Sequence, residues 1–480
     1  MWRSRLFYLL GSWILILTGA QLIPLIISII LNEKESFQSL FSSVLLTSLI
    51  GGALFLGFRS TKSIRTPRLT VALPVAGAAA LATVAGLPFF FLLPNQGFFA
   101  AFFEGMSLIT TTGSSAYEGS FDALVAISLW RAMVAWLGGY FAVCITLSFL
   151  TAMNIGGLQL HKSPLPFGDS ELGYPRLKSI AETVYPVYLL VTVACILLLW
   201  ISGLTFFEAV TLGLATISTT GLFEHYGNGL TNIWTQVILA AFMLLGIMNW
   251  DMHYARIKGL RLKIGQDPEF GSTLVSIAVL VILVTLVTGR FDTKDLWQNL
   301  FATISAISTT GIVPGDYLAD TDNHLSTGLL LMIAAAIGGG VIGTGGGIKQ
   351  LRVIVIYRAA RAEIDRLVHP HSISRVNIDK EALHKRDIGA VWLLLGSFML
   401  VLAFGSIALA MLGLHFQDAL SMAFTALTLS GPLITVTDPL FVGFSGLKDA
   451  DYFILSILML FGRVETSLLL ALFAKSLWRG

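Results

Sequence analysis

Charged side chains are scarce in this 480-residue chain: Asp, Glu, Lys and Arg together make 12%, about half the roughly 25% of an ordinary soluble domain. So little polar surface cannot cover a soluble globule of this size. Disorder is excluded as well, because disordered chains combine low hydrophobicity with high net charge. Cysteine is almost missing. Cys144 and Cys195 both sit in apolar runs, which excludes a disulfide framework, and neither has His or Cys company at metal-ligand spacing. A net charge of +2 leaves no field that would draw the chain to nucleic acid. What is plentiful is apolar: 55% hydrophobic residues and 46 glycines, with a mean hydropathy of +0.80. The chain is an integral membrane protein embedded in lipid.

Crossing a ~30 Å hydrocarbon core as helix takes about 20 mostly apolar residues. Runs near 6–31, 38–58, 69–93, 123–150, 181–203, 231–250, 272–289, 325–348, 387–413 and 452–475 qualify, giving ten expected spans. The first is too long for a signal-peptide core and lacks a clean small-residue cleavage site. Basic residues set the orientation. Lys34, Arg290, Lys294 and Lys448 fall on one side, Arg131, Lys349 and Arg463 at membrane depth, and the other 23 on the opposite side. Positive charge stays in the cytoplasm, so both termini are expected there, in the cell (inner) membrane.

Four further apolar stretches, near 97–110, 206–217, 295–307 and 416–427, are too short to cross and read as re-entrant helices. All end alike. Thr111-Thr112-Gly113, Thr219-Thr220-Gly221 and Thr309-Thr310-Gly311 close the first three, and Leu429-Ser430-Gly431 closes the fourth in the same register. An aromatic precedes each glycine by 14 residues at Phe99, Phe207 and Trp297, and by 15 at Phe416. The unit of long helix, short helix, Thr/Ser-Gly tip and long helix therefore occurs four times. The expected organisation is a two-helix N-terminal region at 1–68, then pore repeats at 69–155, 156–265, 266–386 and 387–480. The third holds a broken second helix and a cytoplasmic segment.

Non-helical backbone at bilayer depth is tolerated only where it is buried or lines a water-filled path. Four extended tips around an axis can turn their carbonyls inward and replace the hydration shell of a cation, as in potassium-channel filters. Glycine suits the position through its access to positive φ. A short helix whose C-terminal, partially negative end points at the axis favours a cation over an anion. Tight helix–helix turns that merely pack are the alternative.

Gly338 to Lys349 contains a glycine run that formally fits a dinucleotide fingerprint, but an apolar helix rather than a strand precedes it. A phosphate-binding loop fails as well, because Ile348 and Gln350 flank Lys349 where Gly and Ser/Thr are needed. Gly343, Thr344, Gly345, Gly346, Gly347 and Lys349 are expected to form an unwound intramembrane gate beneath the tips; a glycine-rich packing face is the alternative. Arg463 lies in an apolar helix, where ionisable residues are costly and usually functional. Facing the path, it would raise the barrier to leak; pairing with Glu465 is its alternative. Arg131 is read as a packing anchor. The Ser430 tip has no histidine partner at membrane depth for peptidase chemistry, since His415 begins the opposite end of its short helix. Arg352, Arg358, Arg361 and Arg366 lack voltage-sensor spacing and read as a cytoplasmic helix face. The chain is not read as an enzyme, and no cofactor is expected.

Several motifs carry a resemblance. Trp130-Arg131 with Trp136-Leu-Gly-Gly139, Phe242-Met-Leu-Leu-Gly246 with Asn249 and His253-Tyr254, Gly338 to Lys349, and Gly462-Arg-Val-Glu465 resemble the TrkH/KtrB-type potassium transporters, in the branch with two extra N-terminal helices. The resemblance spans nearly the whole chain. It implies an all-α integral membrane fold of four parallel M1–pore-helix–M2 repeats around a pseudo-fourfold pore, and potassium (K⁺) as the permeant ion held at the four tips. It also implies an intramembrane loop and an arginine as gate, a homodimer, and a cytoplasmic nucleotide-binding ring as regulatory subunit. Basic loops around Lys162–Lys178 and Arg256–Lys263 are the expected docking surfaces for that ring. Relatives passing sodium tend to carry Ser in place of a tip glycine; all four glycines are present here, which favours potassium. The fourth tip, Thr428-Leu-Ser-Gly-Pro432, keeps the family's Gly-Pro but not its usual Asn. A sodium- or proton-coupled potassium symporter is the alternative function, since broken helices and repeats are common to both classes.

Overall fold

The computed structural model describes residues 2–59, 67–117, 124–150, 174–222, 232–259, 268–314, 324–369, 385–437 and 443–464, with a few single positions and a short hairpin between them. Glu465, the stretches 151–173 and 260–267, and everything beyond 465 lie outside the described residues, and with them most of the two basic loops and the proposed Arg463–Glu465 pairing.

Two long helices, α1 (Trp2–Ile30) and α2 (Lys34–Gly57), form an N-terminal hairpin. Their contact face is small and polar. A Cβ at Gly51 would touch Ile14, and the Gln21 amide donates to the Ser43 hydroxyl at 3.1 Å. Ile16, Ile26 and Ile30 are meanwhile exposed. Apolar outside and small-polar inside is the pattern of helix pairs in lipid, where close packing and hydrogen bonds replace the hydrophobic effect.

The first repeat is α3 (Pro67–Leu92), α4 (Gly97–Ile109) and α5 (Val125–Ile145), the last continued by a wider turn at Thr146–Leu150. The second is α6 (Tyr174–Ile201), α7 (Phe206–Ile217) and a second long element split into α8 (Ile233–Ile247) and α9 (Trp250–Ile257). The third is α10 (Pro268–Thr288), α11 (Thr293–Ile307), α12 (His324–Ile337) and, after a non-helical stretch, α13 (Gln350–Val368). The fourth is α14 (Lys385–Met411), α15 (Phe416–Thr428), the single turn α16 (Ile434–Thr437) and α17 (Asp449–Val464). Two two-residue strands, Asn377–Ile378 and Glu381–Ala382, pair antiparallel between α13 and α14. No other strand occurs among the described residues.

Seven described helices are long and apolar enough to cross a membrane, eight if the pair α8–α9 is one span. Ten continuous spans are expected from the sequence; two of the three differences have a physical cause, and the third run lies partly outside the described residues. The run 231–250 breaks at Met248–Asn249 with a 100° bend. The run 325–348 is helical only to Ile337, beyond which consecutive glycines stop the ladder. Of the run 452–475, only the part to Val464 is described. The four short stretches are helices within two residues of their expected bounds. Thr205 and Glu208 cap α7 reciprocally, each side chain bonding the other's backbone N–H.

A candidate ion-conducting site at the four helix tips

The four tips share one backbone design. Each short helix ends in a Schellman cap, with one residue in the left-handed region: Thr111 (φ 60), Thr219 (φ 54), Thr309 (φ 59) and Leu429 (φ 60). The next N–H reaches back five residues, from Thr112 to Ser107 (2.7 Å), Thr220 to Ala215 (2.9 Å), Thr310 to Ser305 (3.0 Å) and Ser430 to Thr425 (2.9 Å). Hydroxyl pairs staple each turn at 2.8–3.0 Å: Thr110 with Thr112, Ser218 with Thr220, Ser308 with Thr310 and Thr428 with Ser430. Every tip residue is buried.

Glycine normally takes the left-handed cap position. Here three β-branched threonines and a leucine hold it, at a cost of roughly 1–2 kcal/mol each. Residues in such regions persist where the surroundings over-determine them and cluster at functional sites. The sequence reading gave positive φ to the tip glycines. That is right for Gly113 (φ 81) and Gly311 (φ 77). Gly221 and Gly431 are not left-handed; they are glycine because neighbouring backbone leaves no room for a Cβ.

Those close approaches form a closed ring. A Cβ at Gly113 would lie 2.9 Å from the Gly221 nitrogen; one at Gly221 would strike the Thr310 carbonyl oxygen and Pro432; one at Gly311 would lie 2.8 Å from the Leu433 nitrogen. The Gly431 N–H donates to the Thr112 oxygen at 2.9 Å, which joins the fourth tip to the first. The order is one to two, two to three, three to four, four to one, with Pro432 of the fourth tip also lying across against Gly221 of the second. Thr112 is engaged sideways by that bond, and its carbonyl keeps a second lone pair.

Glycines of the long second helices explain three of the sequence motifs. A Cβ at Gly138 or Gly462 would collide with the carbonyl of Ile109 or Leu427, and one at Gly246 would sit 3.1 Å from the Ile217 oxygen. In each case the second helix lies against the last turn of its short helix (the last residue in two cases, the last but one in the fourth repeat), and the glycine permits the contact.

The glycine-rich stretch lies against the ring, in contact with the second, third and fourth tips and linked to the first through Arg463. Gly346 N–H donates to the Thr309 hydroxyl (2.8 Å), while a Cβ there would strike the Thr428 carbonyl. Thr344 donates its hydroxyl to the Ile217 oxygen (3.1 Å) and its N–H to the Gly246 oxygen (3.0 Å). Arg463 clamps the loop to the first tip: its guanidinium donates to the Thr344 oxygen at 2.8 Å and to the Thr111 hydroxyl at 2.5 Å. Lys349 turns back to donate to the Gly345 carbonyl, and reaches the Gly343 carbonyl at 3.4 Å. Gly347 (φ 78) needs its left-handed conformation to pass the Ala335 and Gly338 backbone. The residues expected to form the gate are thus together against the tips, with Arg463 bonded to both the loop and the first tip.

Three supports were not read from sequence. Glu104, fully buried on α4, pairs with Arg131 at 2.9 Å and accepts from the Ser115 hydroxyl (2.9 Å) and Ala116 N–H (3.1 Å), bracing the chain just past Gly113. Asn249 accepts from Ile342 N–H at 2.9 Å, and Glu269 from Val341 N–H at 2.8 Å. The break in α8–α9 has a matching purpose. It frees the Gly246 and Ile247 carbonyls, which accept from Thr344 and Gly340 (2.8 Å) instead of continuing a helix. Arg352 is buried and donates to the Ile348 oxygen at 2.8 Å, so it is not part of a solvated cytoplasmic face.

Comparison with known proteins agrees with this geometry. The profile of the TrkH family, described as cation transport protein, matches residues 79–271 and 318–479. The chain is 30% identical over 482 residues to the Trk system potassium uptake protein TrkH of Salmonella typhimurium and to that of Escherichia coli strain K12, covering 98% of this chain and of each relative. The crystal structure of the potassium transporter TrkH from Vibrio parahaemolyticus superposes with a TM-score of 0.88 at 26% identity, covering 100% of both chains. A multi-pass helical membrane protein with four capped hairpin tips, matched along nearly its full length, this chain belongs to the TrkH family of cation transport proteins.

Proposed function

We propose that the chain takes up potassium across the cell membrane through a channel-like path lined by the four tips. The observation that carries this reading is the closed ring, in which four identically capped tips meet edge to edge. The names of the relatives, potassium uptake proteins, support the choice of ion. Main-chain oxygens of Thr111, Thr112, Gly113, Thr219, Thr220, Gly221, Thr309, Thr310, Gly311, Leu429, Ser430 and Gly431 supply the ligands. The short helices direct their partially negative ends at the ion. Below them, Gly343 to Gly347, Lys349 and Arg463 form the gate, and the hydrogen bonds described above hold it closed.

The finer organisation belongs to the same proposal: the four repeats at the boundaries given, both termini in the cytoplasm, a homodimer with one path per protomer, and a cytoplasmic nucleotide-binding ring docked on the loops around Lys162–Lys178 and Arg256–Lys263. The wording "Trk system" for the relatives supports more than one component.

Rubidium and sodium flux in proteoliposomes tests the path. Gly113→Ser puts a side chain at a left-handed residue 2.9 Å from Gly221, and the expected result is a loss of rubidium-over-sodium preference. Unchanged preference in a folded variant would take Gly113 out of the filter. A reversal potential that follows a second ion would favour the coupled symporter instead.

A further inference from the structure

A cavity of about 390 Å³ opens beside the first repeat, lined by α1 (Trp13, Ile16), Leu81 of α3, Ile109 at the end of α4, α5 (Tyr140, Cys144 and neighbours on that face), and α6 (Leu177, Lys178, Ala181). Its volume falls in the range of built ligand sites. Almost all of the wall is hydrocarbon or aromatic. The phenol of Tyr140 is already committed, donating to the Ala181 carbonyl at 2.6 Å. Ile16 on the rim is exposed, so the cavity opens sideways to lipid rather than into the ion path. None of its residues belongs to the ring or the gate; Ile109 ends α4 two residues before Thr111.

The two ends of the cavity differ. At one end is Ile109, level with the tips. At the other is Lys178, in the first turns of α6, the end assigned to the cytoplasm by the basic residues. Lys178 is exposed and faces Glu182 at 3.7 Å; an exposed pair of this kind is worth little and exchanges readily. An apolar slot running from mid-membrane to a cationic rim matches one chemistry, an acyl chain joined to an anionic headgroup, and basic rims between membrane helices on the cytoplasmic side bind such headgroups.

We propose that this cavity is a site for one anionic glycerophospholipid of the cytoplasmic leaflet, its acyl chain between α1, α5 and α6 and its phosphate at Lys178. The chain end lies against Ile109, so occupancy buttresses the first short helix from behind. Gly138 presses on the Ile109 carbonyl from the α5 side. The bound chain completes the support of a residue whose carbonyl direction sets the tip.

Native mass spectrometry of the full-length protein with dioleoyl phosphatidylglycerol or dioleoyl phosphatidylcholine tests this. The expected result is one retained phosphatidylglycerol per protomer, with phosphatidylcholine weaker. Lys178→Gln should weaken phosphatidylglycerol about fivefold, the loss of one lysine–headgroup attraction, and erase the preference. Ala181→Phe and Ile16→Trp, which fill the slot from two different helices, should remove the retained lipid of either kind. Melting temperatures of the lipid-free variants check that they fold. Retention of the lipid in both slot-filling variants, a preference that survives Lys178→Gln, or no retained lipid in the unaltered protein would each overturn the proposal.

Discussion

Arg463→Gln isolates the clamp between the loop proposed as gate and the first tip. The native guanidinium makes two charged hydrogen bonds, to the Thr344 carbonyl at 2.8 Å and the Thr111 hydroxyl at 2.5 Å. Hydrogen bonds involving a charged group contribute about 1.5–3 kcal/mol each. Glutamine is shorter and neutral, and can keep at most one of the pair. Loss of one bond shifts the balance between closed and open loop by about ten- to 150-fold, at roughly 1.4 kcal/mol per factor of ten. Removal of the positive charge acts in the same direction. A potassium ion passing ~4 Å from a guanidinium is repelled by about 4 kcal/mol at an effective dielectric of 20. Rubidium uptake into proteoliposomes holding the protein alone should therefore rise at least tenfold. Arg463→Lys separates the two contributions. It keeps the charge but loses the planar fork, and its flux should fall between those of the native protein and the glutamine variant. Native flux from folded Arg463→Gln protein would refute the clamp and leave the arginine with a packing role only.

Two further substitutions probe the same construction. Gly346→Ala places a methyl against the Thr428 carbonyl and 2.8 Å from the Leu429 Cβ; overpacking of about 1–3 kcal/mol should push the loop from beneath the ring, and the same uptake assay should read a rise of several-fold with rubidium-over-sodium preference retained. Glu104→Ala leaves Arg131 buried without its carboxylate partner; breaking a buried pair costs about 3–5 kcal/mol, so the melting temperature should drop by several degrees and ion preference should weaken as the Ser115–Ala116 turn loses its acceptor.

Much of this architecture is legible in the sequence because it is repeated. The three Thr-Thr-Gly triads, and Leu429-Ser430-Gly431 in register with them, mark four hairpin tips, and hydropathy bounds the short helices to within two residues. Motif glycines were legible as motifs but not as mechanics. That Gly138, Gly246 and Gly462 each lie on a carbonyl in the last turn of a short helix is a fact of packing across sequence gaps of more than 25 residues. The bend at Met248–Asn249 was invisible for a different reason. Neither Pro nor Gly marks it, and its acceptors, the Gly246 and Ile247 carbonyls, are drawn off by a loop about 90 residues downstream. Glu104 and Glu269 were overlooked because each stands alone in its segment, with no counterpart in the other repeats; periodicity finds what recurs, and these braces do not. The left-handed threonines ran against local preference altogether. Thr111, Thr219 and Thr309 occupy a position that propensity gives to glycine, held there by the hydroxyl staples on either side and by contacts to Arg463 and Gly346.

The most direct measurement is anomalous scattering from crystals of the full-length protein grown in rubidium. A peak on the axis of the ring, within ligand distance of main-chain oxygens from all four tips, is the expected result. Rubidium found only outside the ring, with the four tips packed around an unbroken protein core, would contradict it.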